Sequence, residues 1–501
     1  MIKVNLFRIL TSLLVATVFI GCSDDDKEYV YFKGDTLSGL STSALSIDHT
    51  GGTESFTINS ATVPTTTTDA DWISVSHNGV ENKTHTFLVT IAENKEQQER
   101  SGKITISSGK SSETVTVTQA ASPASSGSEN SADRPLGIKA LDIAKDIRVG
   151  WNIGNTLEVP GGETLWGNPK VNEAYVGGIK AAGFNAVRIP CAWNSYIIDK
   201  NNTLDPSWLD RVDEVVGYVL AQNMYAIVNI HWDGGWLENN IGNTPKEELL
   251  EKQKTLWTQI ANKLGHYNEK LMFAGLNEPN ASSAASTASL LQYEQAFIDA
   301  VRATEGNNKT RTLIFQGPTT DIDNTSKYFT TNPTDPSGDG YLMAEVHYYT
   351  PSDYTIMEKD GQWSQYVKFF WGKDYHLQGS NRNVTWGEED QMQSLFKKMK
   401  TQFADKGIPV ILGEFGAYPE EHIANLNDAD KALINDNIEL VRQGRAHFYN
   451  CVVQYGKENG LIPFVWDTGE LISRTNGKVP SDKEYILENV MKAADNSKYP
   501  F

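Results

Sequence analysis

Leu271-Met272-Phe273-Ala274-Gly275-Leu276-Asn277-Glu278-Pro279 sets an apolar run of strand length directly before an amide, a carboxylate and a proline. Short apolar runs of this kind predict strands covered on both faces, as in a parallel sheet. Seven more share the form, at 149–153, 184–189, 224–230, 312–315, 341–346, 408–412 and 461–466, which with 271–276 makes eight. Helical patterns lie between them. Trp208, Leu209, Val212, Val215, Val216 and Val219 keep helical spacing behind Asp205-Pro206, and Thr244-Pro245-Lys246-Glu247 reads as a capping box with proline at the first helical position. Eight such units across 136–501 predict a (β/α)8 TIM barrel with long loops rather than a doubly wound sheet.

In that fold the chemistry sits at the C-terminal ends of the strands. The first run ends Trp151-Asn152-Ile153-Gly154-Asn155-Thr156, the second carries Arg188-Ile189-Pro190, and the third ends Asn229-Ile230-His231-Trp232. The fourth ends Asn277-Glu278-Pro279, the sixth Glu345-Val346-His347-Tyr348-Tyr349, the seventh Gly413-Glu414-Phe415 and the eighth Trp466-Asp467. Glu278 and Glu414 would face each other across the barrel mouth, where glycoside hydrolysis needs one acid for the leaving oxygen and one carboxylate to attack or to position water. A glutamate behind an apolar strand can also be an ion-pair partner or a helix-capping acid. The weight lies in the joint placement on the fourth and seventh strands, with histidine and tyrosine beside them.

Outside the barrel pattern, composition narrows the partners. The 63 Asp and Glu against 44 Lys and Arg give a net charge of −19, which speaks against nucleic acid and phosphate-dense ligands. The 12 Trp and 20 Tyr suit the flat faces of uncharged sugars. Cys22, Cys191 and Cys451 are too few for a disulfide framework or a cysteine zinc site, and the nine His form no HExxH spacing, so no metal is expected. No GxGxxG or P-loop follows any strand, so no cofactor is expected either, and the chain is expected to act as a monomer.

The N-terminal third has a different character. Lys3 and Arg8 precede an apolar stretch from Ile9 to Ile20 and then Phe19-Ile20-Gly21-Cys22, which resembles a bacterial lipobox. The resemblance implies a signal peptide over 1–21, lipidation of Cys22 and, with Ser23-Asp24-Asp25-Asp26, export to the outer-membrane surface through the lipid anchor. Residues 37–120 alternate apolar and polar in short strands, predicting a small all-β immunoglobulin-like sandwich. Ala70-Asp71-Trp72-Ile73, Arg100-Ser101-Gly102 and Val117-Thr118-Gln119-Ala120 resemble a BACON domain, with a spacer role favoured over glycan binding because Trp72 is the one obvious aromatic. A Ser/Pro linker covers 121–135.

Taken together, Asn277-Glu278-Pro279, Glu414, Arg188, His231, His347-Tyr348-Tyr349 and Trp466 resemble glycoside hydrolase family 5, and Gly150-Trp151-Asn152-Ile153-Gly154-Asn155-Thr156-Leu157 with Trp166-Gly167-Asn168-Pro169 resembles its subfamily 4. The resemblance implies a retaining mechanism with Glu278 as acid/base and Glu414 as nucleophile. Asn277 is then expected to bond the sugar 2-hydroxyl, Arg188 to keep Glu414 ionised, and Tyr349 to donate to the same carboxylate. Glu278 is expected to have a raised pKa. Asn155, His231 and His347 are expected at the substrate, and Trp466 is expected to stack on the sugar preceding the cleaved bond, whereas Trp257 and Trp208 are expected in the core.

The substrate implied is a plant cell-wall β-1,4-glucan. The order of lipobox, BACON-like module and barrel resembles surface endo-xyloglucanases of gut Bacteroides, which favours xyloglucan; a linear β-glucan cellulase or lichenase, a β-mannanase, or a non-catalytic surface glycan-binding lipoprotein are the alternatives. The loop at 350–387 holds Tyr354, Trp363, Phe369, Phe370, Trp371 and Trp386, which either line the cleft or pack the loop down; Trp363, Phe370 and Trp371 are the first candidates for contact with a branched chain.

Overall fold

The computed structural model describes residues 36–49, 51–94, 96, 98–121, 137–417 and 426–501. The expected signal peptide, Cys22 and nearly all of the expected linker lie outside the described residues. The chain divides into two compact units, Met1–Ser122 and Pro123–Phe501.

Among the described residues the first unit holds seven strands: β1 (Ala44–Ile47), β2 (Gly52–Asn59), β3 (Thr65–Thr68), β4 (Ile73–Glu81), β5 (Thr84–Ile91), β6 (Arg100–Ser108) and β7 (Ser111–Gln119). They form one sheet in the order β1-β7-β6-β3 and another in the order β2-β5-β4, antiparallel apart from the β1–β7 pair. Alternation drives the packing, because Phe87, Val89, Ile91, Val115 and Val117 all turn inward and lose water contact. Trp72 packs on this core with the Arg100 guanidinium 4.3 Å above its ring, so it serves the sandwich.

The second unit is a closed, all-parallel barrel of β8 (Gly150–Ile153), β9 (Ala186–Ile189), β10 (Tyr225–Asn229), β11 (Leu271–Ala274), β12 (Leu313–Gln316), β13 (Leu342–Tyr348), β14 (Val410–Phe415) and β15 (Leu461–Asp467). The runs of the sequence therefore do form a TIM barrel. Strand parity divides each strand between two cores. Ala186, Ile227, Met272, Ala274, Ile314, Met343, Ile411, Ile462 and Phe464 fill the interior, closed below by Ile143 and Ile147, while Val187, Val228, Phe273, Phe315, Val346, Leu412 and Val465 face the helices. The inward parity continues upward into polar residues: Asn152, Arg188, Asn229, Gln316, Glu345, His347 and Trp466.

One strand breaks that parity. On β14, Ile411 faces inward and Leu412 outward, so simple alternation would turn Glu414 toward the helices. The pairing slips by one residue there: Leu412 and Glu414 oppose the consecutive Val346 and His347, and Leu412 and Phe415 oppose Pro463 and Val465. This bulge takes up Gly413 and returns Glu414 to the interior, with Phe415 in the outer core. Glycine is required at the bulge, since a Cβ would stand 2.0 Å from Oε1 of Glu345 and 2.9 Å from Nε2 of His347.

At Asp205-Pro206 the helix starts as predicted, with Asp205 accepting from the Ser207 amide. The capping box at 244–247 does not form. The helix begins at Glu247 behind Lys246, whose backbone N–H is drawn instead to the Tyr293 hydroxyl.

Candidate active site

The upper interior layer of the barrel is a charged cluster. Arg188, with no solvent exposure, donates from Nη1 to Glu414 Oε1 at 2.8 Å and to Asn152 Oδ1 at 3.1 Å, and from Nη2 to Asn277 Oδ1 at 2.9 Å. Its Nε lies 3.0 Å from Glu345 Oε1, an ion-pair approach without hydrogen-bond alignment. Tyr349 donates its hydroxyl to Glu414 Oε2 at 3.0 Å. His347 is flanked on both ring nitrogens, with Nδ1 2.8 Å from Glu278 Oε1 and Nε2 3.3 Å from Glu345 Oε1. Nδ1 is also 3.7 Å from Glu414 Oε2, and single ligand-type atoms of Glu278, His347 and Glu414 lie within 4.8 Å of one another.

Charge balance sets the protonation. Burial would depress the His347 pKa, but the charge of Glu414 and hydrogen bonds to Glu278 and Glu345 outweigh it and raise it to about 10. His347 is thus an imidazolium and donates through both nitrogens. Burial likewise opposes ionisation of Glu345, yet Arg188 and His347 hold its pKa below the usual carboxylate value. His231 goes the other way: burial, then the charges of Arg188 and His347, keep it neutral. Its Nδ1 meets the Asn229 amide at 3.2 Å, and its ring lies parallel to that of Trp466, 5.8 Å between centroids.

The two catalytic candidates differ from expectation. Glu278 was expected to hold a raised pKa. Burial does push it up, but the His347 hydrogen bond, then the charges of His347 and Arg188, carry it below the usual value. For Glu414, burial outweighs His347 and Arg188, so its pKa rises despite the guanidinium expected to keep it ionised. The resting cluster therefore keeps its mobile proton on His347, one hydrogen bond from Glu278.

Of the predicted site residues, Glu278, Glu414, Arg188, Asn277, His347 and Tyr349 come together in this cluster, and His231 and Trp466 pair beside it. Asn155 does not join the network. It takes a left-handed backbone, φ 58°, and uses its own amide and carbonyl to bind Glu158 and Asn168. Phe370 and Trp371 are also corrected: both have no exposure and pack in the apolar cores, with Phe369 and Tyr354 buried beside them. Of the aromatics named in that loop, only Trp363 and Trp386 stand exposed. Trp257 and Trp208 are core residues. Glu345, Asn152 and Gln316 were missed. Glu345 was legible, since a residue two before His347 on a strand shares its face.

A parallel barrel with two carboxylates at its C-terminal mouth, tied to arginine, tyrosine and histidine, defines a glycoside hydrolase of the TIM-barrel class. The family described as cellulase (glycosyl hydrolase family 5) matches residues 152–470, and the BACON family, a putative N-terminal binding domain, matches 60–120. The chain is 31% identical over 491 residues, 93% of its length and 92% of the relative's, to the xyloglucan-specific endo-beta-1,4-glucanase BoGH5A of Bacteroides ovatus. Among solved structures, a family 5 xyloglucan-specific beta-1,4-glucanase from a ruminal metagenomic library aligns with TM-score 0.65 and 36% identity over 73% of this chain and 98% of that one. A GH5-4 broad-specificity endoglucanase from Bacteroides salanitronis aligns with TM-score 0.61 and 30% identity over 73% and 98%. The chain belongs to glycoside hydrolase family 5.

Proposed function

We propose that the protein is a retaining endo-β-1,4-glucanase whose preferred substrate is xyloglucan. The observation that carries the mechanism is the approach of Glu278 and Glu414, with carboxylate oxygens within 4.8 Å. Retaining enzymes hold the two carboxyls about 5–5.5 Å apart and inverting ones about 6.5–9.5 Å, and the short approach of the oxygens here fits the retaining pair. Glu414, aligned by Arg188 and Tyr349, attacks the anomeric carbon. The His347 proton passes along the 2.8 Å hydrogen bond to Glu278 and from there to the departing oxygen, and the pair of the cleaved C–O bond goes to that oxygen. In the second step Glu278 takes a proton from water and returns it to His347, the hydroxyl displaces Glu414, and the β-configuration returns. Asn277, oriented by Arg188, faces the 2-hydroxyl, and Trp466 with His231 forms the floor of the sugar site.

Xyloglucan is supported by the relatives named above and by two exposed indoles, Trp363 and Trp386, in the loop after β13. Both belong to the segment that follows Tyr349, the residue that donates to Glu414. The broad-specificity relative supports a second reading in which unbranched β-glucan is cut equally well. Incubation with xyloglucan and mass analysis of the oligosaccharides tests the proposal. Backbone fragments carrying intact branches are expected, and an undigested polymer overturns it in favour of a binding protein.

For location, Cys22 and the acidic run behind it support a lipid anchor at the outer-membrane surface. Replacing Cys22→Ala should move the protein from the membrane fraction to the soluble fraction.

A further inference from the structure

Strand β11 leaves the barrel sheet just before the acid/base motif. Its last backbone bond to β12 runs from the Gly275 N–H to the Ile314 carbonyl at 3.0 Å. A continued parallel ladder would next return from the Gln316 N–H to the Gly275 carbonyl. Here each group has taken another partner. The Gly275 carbonyl accepts from the Gln253 and Trp257 side chains at 3.1 and 3.2 Å, and the Gln316 N–H donates to Glu294 Oε1 at 2.8 Å. The segment Leu276-Asn277-Glu278 is thereby released from the sheet, and a different anchor has to bring Glu278 to His347.

The Gln316 side chain supplies it. Buried with no exposure at the end of β12, it accepts the Leu276 N–H on Oε1 at 2.7 Å and donates from Nε2 to Glu345 Oε2 at 2.5 Å. The two ends of the amide cannot exchange, because a backbone N–H must meet the oxygen and a carboxylate must meet the nitrogen. One end therefore holds the chain two residues before Glu278, and the other holds the carboxylate whose Oε1 faces His347 Nε2 at 3.3 Å. Both partners of the 2.8 Å contact between Glu278 Oε1 and His347 Nδ1 are thus reached from a single amide. We propose that Gln316 is a positioning residue for general acid catalysis, spanning the opening between β11 and β13 so that Glu278 and His347 stand at proton-transfer distance. This rests on the glycosidase reading given above.

The test compares two aryl β-cellobiosides on the full chain and its variants: a phenyl glycoside, whose leaving group needs a proton, and a dinitrophenyl glycoside, whose leaving group does not. The quantity read is kcat/KM, which reports formation of the glycosyl-enzyme. Gln316→Met fills a similar volume with neither a donor for Glu345 nor a strong acceptor for Leu276. It should lose about 30-fold on the phenyl glycoside and under about threefold on the dinitrophenyl glycoside, because only the first reaction draws on the acid. If Gln316→Met does not fold, Gln316→Asn keeps the amide but is one carbon too short to reach both ends, and it should show the same selective loss. A structural role alone would lower both rates together. An equal loss on the two substrates, or no loss on either, overturns the proposal. A wild-type chain that leaves both substrates intact overturns the glycosidase reading instead.

Discussion

Glu345 Oε1 sits 3.3 Å from Nε2 of His347, on the opposite side of the ring from the nitrogen that meets Glu278. Its other oxygen accepts from the Gln316 amide at 2.5 Å, so this carboxylate stays fixed, with no exposure, beneath the catalytic pair. Its charge helps keep the imidazole protonated until Glu278 needs the proton.

Glu345→Gln keeps the shape and removes that charge. The alkaline limb of kcat/KM should move to lower pH by about one to two units. Turnover of polysaccharide should fall about 10–100-fold, while a dinitrophenyl glycoside, whose leaving group needs no proton, should lose little in its glycosylation step. Equal losses on both would mean that Glu345 acts only through Arg188 and the nucleophile.

Glu278→Ala and Glu414→Ala should each reduce hydrolysis about a thousandfold with the fold intact. Azide should then release a β-glycosyl azide from the Glu278 variant and an α-glycosyl azide from the Glu414 variant. The opposite pairing, read by NMR of the products, would exchange the two roles.

Thermal stability should fall as the solution becomes alkaline. Burial raises Glu158 and Asp233 to about 7 and Glu238 to about 8, and the carboxylates around His347 raise it to about 10. Each group binds its proton more tightly folded than unfolded. The carboxyl contribution is complete below the unfolded value of about 4 and is lost as pH climbs through 7 to 8; the His347 contribution is complete below about 6.5 and is lost through about 10. Calorimetry should give a lower Tm at pH 9 than at pH 6; a rise over that interval contradicts the assignment.

Trp363→Ala with Trp386→Ala should lower kcat/KM on xyloglucan about tenfold, the size of roughly 1.4 kcal/mol, and leave carboxymethylcellulose within about twofold. Wild type should favour xyloglucan. A parallel loss on both polymers would make these indoles general platforms for the backbone.

Deleting residues through Asp133 should leave turnover of soluble xyloglucan unchanged per folded molecule, since the barrel has its own cores. A large drop, measured on protein of matched circular dichroism, would assign the sandwich a part in the cleft.

The barrel was legible because each strand is buried on both faces and so announces itself as an unbroken apolar run, and strand ends then point to the site. Glu278, Arg188, His231 and Trp466 follow from position alone. What stayed hidden depends on long-range geometry. Phe370 and Trp371 read as surface aromatics by loop membership, yet their loop folds onto the helices and buries them. The protonation pattern was out of reach for the same reason, since it comes from five charged groups brought together from four strand regions.

The slip at Gly413 makes the direction of Glu414 a matter of counting residues rather than of choosing a rotamer. Ironing the bulge into a regular strand with every residue kept would send the nucleophile toward the outer helices, whereas the inward turn of Glu414 behind an outward Leu412 depends on one residue between them being left out of the pairing. A graft that keeps this residue count on another eight-stranded barrel must therefore carry the slip together with the glutamate. It must also carry a glycine there, because Glu345 and His347 on the adjacent strand occupy the volume that any larger residue would need.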